Sequence, residues 1–348
     1  MSERRWTAAD FDYPLPEQLI AQTPLAARDQ SRLLVVSPDG ALRDGTFTDL
    51  ATMIPPGDLV VVNSTRVRHA RLHATRKSGQ PAEVLLIHPA TDDTWIAMGN
   101  PGRAMRPGKQ LVLGGGVAIE TIEVLDDGTR RVRFLGATAE EAIARFGRIP
   151  LPPYISREPT GDDLNRYQTV YAERDGSVAA PTAGLHFTPA LLATLRERGV
   201  NVVALDLEVG PGTFRPMDDG DVAEHPMHAE RFTIPPATAE AVESARARKA
   251  RVWAVGTTVV RALESAADDH GTVAPLSGET RLMIAPGYRF RVVDALITNF
   301  HLPRSTLLML VAAFAGHDLI MTAYRHAIDA GYRFYSYGDA MCLTRSAA

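Results

Sequence analysis

Apolar residues gather into dense runs at several widely separated places: "RLLVV" (32–36), "DLVVVN" (58–63), "VNVVALDLEV" (200–209), "RVWAV" (251–255) and "RVVDALITNF" (291–300). Runs this dense in Val, Leu and Ile predict strands covered on both faces, as in parallel sheets. Between them the apolar period lengthens to that of a helix. "TPALLATLRERG" (188–199) is amphipathic and stops at Gly199, "ATAEAVESARARKA" (237–250) leads into "RVWAV", and "AYRHAIDAG" (323–331) stops at Gly331 before a last strand. "PEQLIAQ" (16–22) reads as a further short helix. From about 70 to 148 the texture changes to short strands separated by Gly, Pro and Asp: "ARLHATRK", "AEVLLIHP", "TWIAMG", "KQLVLGGG", "VAIETIEVL" and "RRVRFLG". Such even spacing predicts a small barrel. The fold class expected is α/β: a mainly parallel sheet domain built from both chain ends (1–69 and 149–348), with an inserted small antiparallel β-barrel domain (70–148).

One stretch joins two unlike halves. In "ITNFHLPRSTLLMLVAAFAG" (297–316) a loop carrying an imidazole, a guanidinium and two hydroxyls runs directly into an almost wholly apolar segment. In open α/β sheets ligands bind beyond the carboxyl ends of the strands, where loops lead into helices. The apolar segment then serves as a buried helix that holds the polar loop still. Ser305 or Thr306 is placed to cap it, and its free backbone N–H groups favour an anion. The segment is too short to cross a bilayer, which takes roughly 20 apolar residues.

Composition narrows the class. The 348 residues are 45% hydrophobic and 22% charged, an ordinary globular balance. The N-terminus shows no apolar leader, and the single cysteine, Cys342, excludes a disulfide framework, so a reducing cytoplasmic setting and no membrane partner are expected. A formal charge of −4 argues against indiscriminate coating of nucleic acid but leaves room for a local basic cleft.

Candidate chemistry sits mostly on loops that precede helices. "AVGTTVVRALESA" (254–266) offers Gly256, Thr257 and Thr258 at a helix start, with Arg261 in reach of Glu264. "SVAAPTAGLHFTPALL" (177–192) sets Thr182, Gly184 and His186 before a helix that Thr188 caps and Pro189 opens. "ALDLEVGPGTF" (204–214) resembles the glycine turn of Rossmann-type methyltransferases at Gly210, Gly212 and Thr213. The third glycine of that pattern is missing, however, and Arg215-Pro216 follows where a helix should open. "EHPMHAE" (224–230) brings His228 and Glu230 together. Pro226 opposes helical presentation and no cysteine is near, so proton transfer is preferred there and no metal site is expected. "RDQSRLLVV" (28–36) and "VVNSTRVRHARL" (61–72) add arginines and amides suited to phosphate contacts, among them Asn63, Thr65 and Arg66. Asn299, His301, Arg304 and Ser305 complete the candidates. Each stretch alone also fits an ordinary capped helix or solvated charge.

In combination and in this order the stretches resemble one family, the S-adenosylmethionine:tRNA ribosyltransferase-isomerases of queuosine biosynthesis. The matching segments include "DFDYPLPEQLIAQTP", "RDQSRLLV", "GDLVVVNSTRV", "LPPYI", "RYQTVYA", "GSVAAPTAGLHFT", "VGPGTF", "EHPMHAE", "GTTVVRALES", "PGYRFRVVDALITNFHLPRSTLLMLVAAFAG" and "YRFYSYGDAM", from Asp10 to Met341. Two positions depart from the family pattern: Glu208 stands where a histidine is usual, and Ser64 where an aspartate is.

The resemblance implies transfer and isomerisation of the ribosyl group of S-adenosylmethionine (SAM) onto 7-aminomethyl-7-deazaguanine (preQ1) in the anticodon loop of tRNA, giving epoxyqueuosine, adenine and methionine. SAM is then a consumed donor, no cofactor is permanently bound, and the protein is a monomer. The sulfonium acidifies the neighbouring C5′–H, so a base is required, with His186, His228 and Glu230 as acid–base candidates. Asn63, Thr65, Arg66, Thr182, Gly184, Gly210, Gly212, Thr213, Gly256, Thr257, Thr258, Arg261, Asn299, His301, Arg304 and Ser305 are expected to contact substrate. Two alternatives stand beside this reading: a SAM-dependent RNA methyltransferase and a non-catalytic tRNA-binding protein.

Overall fold

In the computed structural model, residues 5–345 are described apart from 215, 216, 218, 219, 221, 223, 224 and 226, with the backbone alone at 213 and 214. Two sheets organise the chain. The larger runs, edge to edge, Leu276–Thr280, Glu230–Ile234, Asn201–Leu207, Leu59–Asn63, Val252–Val255, Ala295–Asn299, Ala340–Thr344, Arg32–Val36 and Leu42–Thr46. Its middle four strands, from Asn201–Leu207 to Ala295–Asn299, are mutually parallel. The dense apolar runs supply them, since both faces are covered. Val61, Ala254 and Leu296 face one core with the helix Thr306–Ala315, while Val60, Trp253 and Ile297 face the other with the helix Pro189–Glu197.

The second sheet closes on itself. Strands Arg71–Arg76, Pro81–Pro89, Thr94–Asn100, Arg130–Leu135, Val117–Val124 and Gln110–Gly114 follow one another, and Arg76 pairs with Leu111 to seal a six-stranded antiparallel barrel. Alternation supplies this wall: Leu72, Val84, Leu86, Ile119 and Val132 point inward onto one small core.

The apolar helix predicted after "HLPRST" is present as Thr306–Ala315. Ser305 caps it, its Oγ accepting from the Leu308 N–H at 3.2 Å and donating to the Leu302 carbonyl at 2.7 Å. Leu308, Met309, Leu310, Val311 and Phe314 are buried, each contributing about 1.5–3 kcal/mol of gross stabilisation, so the polar loop before them has a rigid mount. The next helix, His317–Asp329, is bent away by 114°, and no single helix among the described residues is long and apolar enough to cross a membrane.

The helix expected over 16–22 is not formed. Only Glu17–Leu19 makes a 3-10 turn, and the chain then runs extended because Phe334 N–H donates to the Leu19 carbonyl and Ala21 N–H to the Phe334 carbonyl. A distant segment captures the backbone groups a local helix would have used.

Candidate functional site

Two neighbouring parallel strands, Val252–Val255 and Ala295–Asn299, each end in a loop that starts a helix. A partly open cleft lies at these ends. Thr182, Gly256, Thr257, Thr258, Asn299, His301 and Ser305 line it. Loops more than a hundred residues apart in sequence thus meet at one place. Gly256 is needed for its conformation, with φ at +91°, which lets the strand turn at once into the helix Thr257–Ala266. The N-termini of two ten-residue helices therefore border one cavity and offer it unpaired N–H groups.

Asn299 forms part of the wall. Its Nδ2 faces three acceptors: the Tyr335 carbonyl at 3.0 Å, the Asp339 carbonyl at 3.4 Å and His186 Nε2 at 3.0 Å. These fix the amide orientation, because the opposite one would set oxygen against oxygen. The buried Oδ1 is left without a hydrogen-bond partner among the described residues. A buried acceptor without a partner costs free energy that an N–H donor on a ligand would recover.

His186, expected in acid–base chemistry, is set back from the cleft wall. The ring does not line the cleft; it lies behind Asn299. Since Nε2 accepts from Asn299, Nδ1 carries the proton and donates to Ser31 Oγ at 2.6 Å, and Ser31 donates on to the Arg28 carbonyl at 3.2 Å. Burial holds this imidazole down at about 4, assisted by the charges of Arg28 and Arg333. It is a neutral positioning residue. His301, in contrast, lines the cleft; its Nε2 is hydrogen-bonded to Thr298 Oγ1 at 2.8 Å and its Nδ1 has no partner among the described residues. Burial alone pushes its imidazole down to about 3.

These two rings make acid an expected threat to the fold. An imidazole whose folded pKa lies below the unfolded value of about 6.5 binds fewer protons when folded, so stability is complete above that value and falls as pH drops toward the folded pKa. By pH 5 each ring costs about 2 kcal/mol, about 4 kcal/mol together. Urea unfolding at pH 7.5 and pH 5 should show the loss, and His186→Asn should remove about half of the difference. An unchanged pH dependence in that variant would take the ring out of the account.

Other candidates are spent on the fold. Asn63 Nδ2 donates to the Leu207 carbonyl at 2.9 Å, and its Oδ1 accepts from Leu207 N–H, Thr65 N–H and Thr65 Oγ1. Asn63 and Thr65 clasp two strands where their parallel pairing ends, and neither lines the cleft. Glu230, expected in proton transfer, is engaged with the fold as well. One carboxylate oxygen accepts from Gly210 N–H at 3.1 Å, and the other pairs with Arg261 Nη1 in a fully buried ion pair. Arg261 therefore reaches Glu230, not Glu264 as its helical spacing implied. The Glu264 carboxylate instead accepts from the backbone N–H groups of Arg291, Val292 and Val293.

Gly184 is small for packing, since a Cβ there would come within 2.1 Å of Tyr171 Oη. Gly212 sits against the exposed His228 ring, and neither lines the cleft. Arg66 is exposed and bonded to the Ala172 carbonyl at 2.9 Å. Arg304, in the left-handed region at φ +58°, donates its N–H to Phe11 O and accepts from Met217 N–H at its carbonyl, bolting the loop to the N-terminal segment. Thr213's side chain, with Arg215, Pro216, Glu224 and Pro226, lies outside the described residues. Among those described, no cluster of three or more His, Cys, Asp or Glu residues is arranged for a metal ion.

The two departures from the family pattern are both off the cleft. Ser64 Oγ donates to Asp206 at 2.7 Å, and Glu208 pairs with Arg231 at 3.1 Å. Sequence reasoning overlooked Tyr154, Tyr335 and Ser336, which line the cleft. Tyr154 Oη and Ser336 Oγ are 2.5 Å apart, and the two tyrosine rings lie 4.6 Å centroid to centroid. The density of aromatics in "YRFYSYGD" was the available signal.

Comparison with known proteins agrees with the geometry. Residues 8–343 match the family described as "Queuosine biosynthesis protein". The chain is 51% identical over 344 residues to the S-adenosylmethionine:tRNA ribosyltransferase-isomerase of Anaeromyxobacter dehalogenans, covering 97% of this chain and 99% of that one. It is 49% identical to the protein of the same name from Heliobacterium modesticaldum, covering 96% and 98%. A crystal structure of S-adenosylmethionine tRNA ribosyltransferase from Thermotoga maritima superposes with a TM-score of 0.56 at 35% identity, covering 96% of this chain and 99% of that one.

Proposed function

The chain belongs to the queuosine biosynthesis protein family, and from that membership we propose that it is an S-adenosylmethionine:tRNA ribosyltransferase-isomerase. It transfers and isomerises the ribosyl group of SAM onto preQ1 at the tRNA wobble position, releasing adenine and methionine. One observation carries the reading: "PTAGLH", "GTTVV" and "TNFHLPRST" converge on a single cleft at the ends of two parallel strands. "HPMHAE" touches that site only indirectly, through Glu230 and the Gly210 amide.

The cleft offers what the chemistry asks for. Two helix N-termini provide N–H groups for the methionine carboxylate. Tyr154 and Tyr335 supply aromatic walls on which a nucleobase can stack. The Asn299 oxygen accepts from a base N–H. The C5′ proton beside the sulfonium needs a base, and His301, a neutral imidazole lining the same cavity, takes that role in the tautomer whose Nε2–H donates to Thr298 Oγ1. The target base lies in an unpaired anticodon loop, so inserting it costs little.

Incubation with SAM and preQ1-containing tRNA, followed by chromatography of the spent donor and nucleoside mass spectrometry, tests the proposal. Free adenine, methionine and epoxyqueuosine are expected. S-adenosylhomocysteine in their place would make the protein a methyltransferase, and an unconsumed donor would leave a tRNA binder.

A further inference from the structure

A second, shallow and open recess shares the Ser336 wall with the cleft and is bordered by Arg28, Ser31, Arg166, His186 and Tyr337. The charge around it is unbalanced. Arg28 donates to the carbonyls of Asn165 at 2.6 Å and Leu185 at 3.1 Å. Arg166 donates to the Ala26 carbonyl at 3.0 Å, and its buried Nε has no partner. Arg333 donates to the Thr23 carbonyl, and its buried Nη1 has no partner. Among the described residues none of these three guanidiniums forms an ion pair with a carboxylate.

The nearby acids are already committed. Asp163 holds Arg157 at 2.6 and 2.8 Å and accepts from Tyr337 Oη at 2.7 Å. Asp339 accepts from the Arg32 and Arg333 N–H groups, both at 2.8 Å, and its charge offsets part of that of Arg333, which still leaves the three guanidiniums in excess. Carbonyl partners pin a guanidinium without neutralising it. The uncancelled charge is felt locally: burial first, then Arg166, lowers the pKa of Arg28, and Arg28 and Arg333 both help to lower that of His186.

We propose that this recess is a phosphodiester site, holding the backbone of the RNA strand whose base enters the neighbouring cleft. The proposal rests on the tRNA reading above and adds where the strand is gripped. A phosphodiester suits the recess better than the methionine carboxylate does, because the cleft already provides helix N-termini for a small anion. Planar guanidinium forks match phosphate oxygens. Arg28 and Arg166, which border the recess, are half-buried, so a backbone passing the rim can reach them, and Arg333 adds its charge from behind the lining. Extruding a base into the cleft carries its flanking phosphates to that rim.

The test measures affinity for preQ1-containing tRNA over a series of salt concentrations, and SAM affinity by calorimetry, in wild type, Arg166→Gln, Arg333→Gln and Arg166→Lys. Each glutamine variant is expected to weaken tRNA binding about 5- to 10-fold at 0.1 M salt and to reduce the salt slope by about 0.7–0.9, with SAM binding unchanged. Arg166→Lys, which keeps the charge, should retain the wild-type slope. Wild-type affinity and slope in both glutamine variants would overturn the inference, as would lost SAM affinity with tRNA binding intact. A wild-type protein that binds no tRNA would overturn the functional reading together with it, which separates the two failures.

Discussion

Replacing His301 by glutamine is expected to lower turnover by at least about 10-fold, while SAM affinity changes only a few-fold. A positioned base usually contributes about 10²- to 10⁴-fold, and the low pKa of this one makes it a weak base, toward or below the low end of that range. Glutamine preserves the volume and can keep the hydrogen bond to Thr298 Oγ1, so the lost activity reports the ring nitrogen and not the packing. The pH profile gives a second check. With its imidazole held at about 3, His301 is already unprotonated throughout the neutral range. The wild-type kcat/KM should therefore show no rising limb between pH 6 and 7. A limb there would take the role away from His301. Full activity in the glutamine variant would end the assignment altogether.

The second large effect concerns stability. Arg261 and Glu230 are 4% and 6% exposed, and the Glu230 carboxylate also holds the Gly210 amide at the end of the "LEVG" strand. Arg261→Met strands a buried carboxylate and is expected to cost about 3–5 kcal/mol in urea unfolding. The double variant Glu230→Leu/Arg261→Met should regain most of that loss, because an apolar pair of similar volume avoids the desolvation of two charges. A single-variant cost below about 1 kcal/mol would show that the pair is solvated in solution, against its burial here.

Much of the architecture could be read from local patterns. Val60 to Val62 announce a strand covered on both faces, and alternation in "ARLHATRK" announces the barrel wall, since each pattern depends on neighbours close in sequence. The site was harder. Asn63 and Asn299 are the same residue type at the same end of two parallel strands, yet one exhausts its amide on Leu207 and Thr65 and the other keeps an oxygen free. Only the register of partners far along the chain separates them. That His186 stands back from the cleft was hidden for a similar reason. Its burial behind Asn299 depends on Ser31, far away in sequence, and no local pattern reveals that. The segment 16–22 was misread because Phe334 supplies its hydrogen bonds.

The strand Ala340–Thr344 lies between Ala295–Asn299 and Arg32–Val36, bonded to both. During synthesis the hairpin Arg32–Thr46 therefore emerges with an empty edge and keeps it until residue 344 has cleared the ribosome. At roughly 5–20 residues per second that wait is on the order of tens of seconds. Over that interval a young polypeptide carries an apolar, unzipped flank, so expression should depend on chaperone supply more steeply than the finished protein's stability would suggest.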